Sequence, residues 1–141
     1  MPDSWICADA NQVIRLVVDP ADEPVRGQWE RWDATGRQLA APSLLFYEVT
    51  NALYRYQRLG FISAASVQLA LKAAFALPLD LQGGSELHRR ALELAERFSL
   101  SAAYDAHYLA LAERLAGEFW TADGALARMV QPAMPWVHLV E

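Results

Sequence analysis

The 141-residue chain has a single cysteine, Cys7, and it falls inside an apolar run. It cannot pair within the chain, so a disulfide scaffold and a cysteine-ligated zinc site are excluded and a reducing compartment is expected. Long hydrophobic runs are also missing. The longest stretch without a charged residue, Leu59 to Leu71, is too short and too polar to span a bilayer. No basic region followed by an apolar core opens the chain, which speaks against a secretory signal and makes the cytoplasm the expected location. Positive charge is scarce as well: the formal net charge is −5. That balance argues against a broad phosphate-binding surface, because such surfaces are basic. A small metal-centred site stays compatible with it, since such a site is itself a cluster of negative charge. His88, His107 and His138 have no metal-ligand spacing, so core or surface roles are expected for them.

What is present describes one folded domain over residues 1–141. A hydrophobic content of 54% against 21% charged residues is enough to bury a core and excludes a disordered chain. There is no repeat, low-complexity segment or linker. Short apolar runs predict strands at Trp5–Ala8, Leu39–Ala41, Leu79–Leu81, Phe119–Ala122 and Val137–Val140. Between them, amphipathic patterns predict helices near Asn11–Val18, Pro24–Gly36, Leu44–Leu59, Ala64–Ala76, Glu86–Phe98, Ala103–Ala116 and Gly124–Val130. Ser43, Ser63, Ser85 and Ser101 are expected helix caps, and Gly60 and Gly117 expected helix stops. Strands interleaved with helices predict an α/β fold, a short parallel sheet of about five strands flanked by helices in three layers.

Four carboxylates stand where burial makes them costly. Asp9 ends the run Trp5-Ile6-Cys7-Ala8, and Asp123 follows Phe119-Trp120-Thr121-Ala122. Glu48 shares a helical face with Leu45, Val49, Ala52 and Leu53; Asp105 shares one with Tyr108, Leu109 and Ala112. An ionised carboxylate costs several kcal/mol to bury unless a cation compensates it. No lysine or arginine recurs at a fixed offset beside all four, so a bound metal ion is the simplest source of the missing charge. In a parallel sheet, strand ends and the starts of the following helices share one edge, so all four can converge there. Each residue also has a plainer reading. Asp9 and Asp123 suit turns and helix caps, Glu48 can pair with Asn51 or Arg55, and Asp105 can complement a helix dipole. Only the joint reading accounts for all four at once.

Carboxylate oxygens without imidazole or thiolate select Mg²⁺ or Mn²⁺. Asn11 and Thr121 are short neutral oxygen groups placed to support them, and Arg15 and Arg55 are candidate contacts to substrate phosphate. Such ions favour phosphate esters, whose displacement two of them can assist.

Asp9-x-Asn11, Glu48-Val49-Thr50-Asn51-Ala52-Leu53, Tyr104-Asp105-Ala106-x-Tyr108-Leu109-Ala110-Leu111-Ala112 and Thr121-Ala122-Asp123 together resemble the PIN-domain ribonucleases, in order and spacing. Within them the set is most similar to the VapC-type toxins of toxin–antitoxin pairs. The resemblance implies a Mg²⁺- or Mn²⁺-dependent endoribonuclease that hydrolyses RNA with metal-activated water and leaves a 5′-phosphate and a 3′-hydroxyl. It implies Asp9, Glu48, Asp105 and Asp123 as the catalytic, metal-holding quartet, with Asn11 and Thr121 as its polar support. It also implies a cognate antitoxin protein, a toxin homodimer and no membrane association. His107 departs from the small residue the family often has there, on the far side of its helix from Asp105. Two other readings stay open: a non-catalytic module of the same fold holding a partner peptide, and a metal-dependent DNA nuclease or phosphatase. The aromatic residues Tyr47, Tyr54 and Tyr56 are candidates for stacking on RNA. The apolar segment Leu59–Leu79 is either core or a surface for a partner.

Overall fold

The computed structural model describes residues 5–140. Five strands, β1 Trp5–Ala8, β2 Gln38–Pro42, β3 Leu79–Gln82, β4 Glu118–Thr121 and β5 Val137–Leu139, form one sheet in the order β3-β2-β1-β4-β5. All four pairings are parallel, with Cys7 opposite both Ala40 and Phe119. The helices are α1 Ala10–Val18, α2 Glu23–Ala34, α3 Leu45–Arg58, α4 Ala64–Phe75, α5 Ser85–Arg97, α6 Tyr104–Leu115 and α7 Gly124–Val130. Every expected element is present, with bounds that move by one or two residues. α6 packs on β1, β2 and β4 and is backed by α5, while α1 packs with α2, α3 and α4. The order places a topological switch between β1 and β4, where the chain leaves one half of the sheet for the other. Ligands of open parallel sheets sit in the crevice at the carboxyl ends of such neighbouring strands.

The central strands are buried because they are small and apolar: Ile6, Cys7, Ala40, Ala41 and Phe119 expose nothing. Burial pushes the Cys7 thiol up to about 12, which leaves it an inert core residue. β3 is the sparsely buried edge and carries the charged Asp80, a residue type that discourages further strand pairing. Trp29 and Trp32 meet edge to face, Trp32 meets Trp120 in the same way, and Trp120 stacks on His138. These three tryptophans thus serve the fold. The Leu59–Leu79 segment divides: Val67, Ala70 and Ala74 are buried, whereas Leu59, Phe61, Leu69 and Phe75 are largely exposed.

Three of the four serine caps are corrected. Ser63 does cap α4, accepting from the Ser66 amide. Ser43 instead donates its hydroxyl to the Gln82 carbonyl across the sheet, and α3 begins after Leu44 with no side-chain cap. α5 begins after Gly84, whose φ of 106° only glycine adopts readily, so Ser85 is already helical. α6 begins after Ala103, beyond the reach of Ser101. Gly60 has the positive φ of a helix stop, as expected. At the end of α6, however, Ala116 takes the left-handed conformation, and Gly117 is needed for a different reason. A Cβ on Gly117 would stand 2.6 Å from the Trp5 carbonyl oxygen, so β4 enters the sheet against β1 only because that atom is missing. Gly117→Ala is therefore expected to lower unfolding stability by about 1–3 kcal/mol, read from urea denaturation. An unchanged midpoint would contradict this close approach.

Candidate active site

All four carboxylates stand at helix N-termini. Asp9 is the N-cap of α1, with its Oδ1 accepting from the Gln12 amide at 3.1 Å. Asp123 is the N-cap of α7 and accepts from the Leu126 amide at 3.1 Å. Glu48 and Asp105 fall in the first turns of α3 and α6. Asp9 and Asp123 are caps as well as cavity-wall residues, so a capping role does not remove either from the site. The positive ends of four helices face this carboxyl edge of the sheet, where they offset part of the negative charge.

Asp9, Asn11, Glu48, Asp105 and Asp123 line one cavity of about 380 Å³, together with Ala10, Tyr108 and Ala122. No lysine or arginine is among its lining residues. Thr121 is fully buried and joins two of the acids: its hydroxyl donates to Asp9 Oδ2 at 2.5 Å, and its oxygen accepts from the Asp123 amide at 3.0 Å. Asn11 is exposed at the mouth. Arg15 is held in an ion pair with Asp22 at 3.0 Å, which commits its guanidinium to the fold. Arg55 is exposed on α3, two turns beyond Glu48 and about 10 Å further along the axis. Neither arginine lines the cavity. His107 hydrogen-bonds the Ala103 carbonyl and His88 and takes no part in the cavity wall.

Tyr108 also belongs to the cavity wall, a place that its helical face with Asp105 did not by itself assign it. Its hydroxyl donates to Glu48 Oε1 at 2.7 Å, and its ring is buried against Phe119. Its position three residues after Asp105, on the same helical face, was the available signal.

The charges act on one another. Burial holds the Asp9 carboxyl up at about 6, against the opposing hydrogen bonds from Thr121 and Gln12, and the charge of Asp105 adds to the rise. Burial also raises Glu48, with Asp105 and Asp9 adding to it and the Tyr108 hydrogen bond opposing. Asp105 is raised by burial and then by Asp123. Burial and the neighbouring Glu48 charge keep the Tyr108 phenol protonated. Among the described residues, no group of three or more acidic, histidine or cysteine side chains is already arranged to hold an ion. The donor chemistry nevertheless fits a hard divalent cation, because only oxygen donors line the cavity.

A raised carboxyl pKa stabilises the folded state at low pH and loses that contribution as pH rises. For Asp9 the window runs from the ordinary value of 3.8 to about 6. In EDTA, unfolding stability should therefore fall across this window by about 3 kcal/mol more in the wild type than in Asp9→Asn. Urea denaturation at pH 4 and pH 7 tests this, and equal pH slopes in the two proteins would contradict it.

A PIN domain family model matches residues 6–131. A protein named Ribonuclease VapC3 from Pyrobaculum aerophilum is 32% identical over 124 residues, covering 86% of this chain and 92% of the relative. The fold is similar to that of a toxin–antitoxin complex from Klebsiella pneumoniae, with a TM-score of 0.68, 20% identity and 94% of each chain covered. It is equally similar to VapBC2 from Rickettsia felis, solved bound to a DNA fragment from its promoter, with a TM-score of 0.68, 14% identity and 96% of each chain covered. The family match takes in every carboxylate of the cavity and all but the last strand, and by that match this chain belongs to the PIN domain family.

Proposed function

We propose that this protein is a Mg²⁺- or Mn²⁺-dependent endoribonuclease and the toxin of a toxin–antitoxin pair. One observation carries the reading: four carboxylates from four helix N-termini line a single cavity at the β1–β4 switch, with no cationic side chain in its wall. The relationship to a named ribonuclease points the chemistry towards RNA.

Asp9, Glu48, Asp105 and Asp123 would hold the ion, with Asn11 at the mouth. The bound ion supplies the positive charge that lowers the pKa of the attacking water and offsets charge on the phosphate in the transition state. The protein's own part is positioning. Thr121 and the Gln12 amide fix both Asp9 oxygens, and Tyr108 fixes one Glu48 oxygen. Asp105 couples by charge to Asp9, to Glu48 and to Asp123, and would hold the ion together with them. Arg55 on α3, rather than Arg15 on α1, which is paired with Asp22, is the candidate contact to a phosphate outside the cavity.

The same cavity suits the guanidinium of an arginine from an antitoxin, since acidic pockets bind that group through charge-assisted hydrogen bonds. Exposed Tyr47, Tyr54, Phe61, Leu69 and Phe75 on and beside α3 and α4 offer apolar area to such a partner or to a second copy of the chain. Among the described residues no helix is long and apolar enough to cross a membrane, and we place the activity in the cytoplasm, on cellular RNA.

Purified protein with mixed RNA should cleave in Mn²⁺ or Mg²⁺, stop in EDTA, and leave 5′-phosphate and 3′-hydroxyl ends. Asp9→Asn and Asp105→Asn should each lower the rate by on the order of 10²–10³-fold or more, the scale on which one transition-state charge partner is felt. Full activity in either variant, or cleavage that persists in EDTA, would overturn the mechanism.

A further inference from the structure

The catalytic cavity does not end at its carboxylates. A second hollow of about 490 Å³ shares Glu48, Asp105 and Asp123 with it and runs on between the α5–α6 turn and α7. Its further wall includes Ser99, Ser101, Tyr104, Leu126 and Met129. Its volume is that of an ordinary ligand pocket, about 300–1,000 Å³. Tyr104 precedes Asp105 and exposes 66% of its surface, and Met129 on α7 exposes 48%. The turn that leads into Tyr104 is fixed in shape: Ser99 takes a φ of 52°, its amide donates to the Glu96 carbonyl, and the Leu100 amide donates to the Ala95 carbonyl at 3.0 Å.

The chemistry of this wall selects among the parts of a nucleotide. It holds no lysine or arginine, and three of its residues are acids, so an unneutralised phosphate is repelled from it. It offers an exposed aromatic ring, an exposed thioether and two serine hydroxyls, which suit a flat, neutral group with polar edges. The groove lined by Tyr47 and Tyr54 on α3 shares no residue with the catalytic cavity, whereas this hollow opens directly onto it.

We propose that this hollow is the subsite for the base of the nucleotide adjoining the scissile phosphate, with that base stacked on Tyr104 and its edge met by Ser99 and Ser101. The assignment rests on the nuclease reading and adds to it a determinant of substrate choice. Stacking tolerates any base, so Tyr104 supplies affinity and the serines supply preference.

The test compares wild type, Tyr104→Phe and Tyr104→Ala in Mn²⁺-dependent cleavage of a short single-stranded RNA. The same three proteins are titrated in Mn²⁺ with that RNA made uncleavable at its phosphodiester links and carrying 2-aminopurine at successive positions, and with an uncleavable abasic RNA of equal length. Tyr104→Ala should raise KM by on the order of 5- to 150-fold and abolish 2-aminopurine quenching, while Tyr104→Phe stays within about twofold of wild type in KM. All three should bind the abasic strand alike. Because Tyr104 is exposed, its removal should leave the thermal melt unchanged, which separates lost stacking from lost fold. Unaltered KM and unaltered quenching in Tyr104→Ala would overturn the subsite and leave the nuclease reading standing. A wild type that cleaves no RNA in either metal would remove the nuclease reading, and this subsite with it.

Discussion

A carboxylate buried at the end of a central strand, with no cation beside it, is the constraint around which this molecule is organised. Asp9 is 9% exposed and keeps its place through one hydroxyl and the Gln12 amide, helped by the Ala122 backbone. The hydroxyl belongs to Thr121, 112 residues away, and reaches Asp9 only because β4 lies directly beside β1. That adjacency depends in turn on Gly117, which lets the chain pass close to Trp5 as it enters β4. The same threonine fixes the Asp123 amide and so the start of α7. Sheet order, one glycine and one threonine thus set the spacing of two acids at opposite ends of the sequence.

The other two acids arrive by a different route. α3 and α6 follow their preceding segments back to the carboxyl edge, and each presents an acid in its first turn. The helix N-termini offset only part of the cost, since burial first and the neighbouring carboxylates second hold the Asp9, Glu48 and Asp105 carboxyls raised. A fold that stores repulsion at one edge is less stable without a counter-ion and gains stability on binding one. The cost sits at the site of the proposed chemistry, while the opposite layers hold ordinary apolar packing. Tyr108 shows how the two meet: its ring lies in the core and its hydroxyl steadies Glu48.

Much of this was legible from the chain. An Asp closing a four-residue apolar strand is conspicuous, and the two strand-end acids and two helix-face acids were found from pattern alone. Local rules failed where distant groups compete. Ser43 reads as a cap, but the Gln82 carbonyl of the neighbouring strand takes its hydroxyl. Arg15 reads as a phosphate contact, but Asp22, the cap of the next helix, pairs with it at 3.0 Å. The Tyr108–Glu48 bond spans 60 residues, beyond the reach of any spacing argument. Gly117 reads as a helix stop because glycine is common there, whereas its role comes from a backbone that only the folded sheet brings near. Leu59–Leu79 resisted a single assignment for a physical reason: α4 buries one face and leaves Leu69 and Phe75 outside.

The most direct measurement is anomalous diffraction from crystals of the full chain grown with Mn²⁺ as the only divalent ion. A manganese peak among Asp9, Glu48, Asp105 and Asp123 is expected, with the carboxylates drawn in around it. In Asp9→Asn crystals the peak should weaken or vanish. A wild-type peak elsewhere on the protein, or none at a saturating concentration of the ion, would contradict the proposal that this quartet is a metal site.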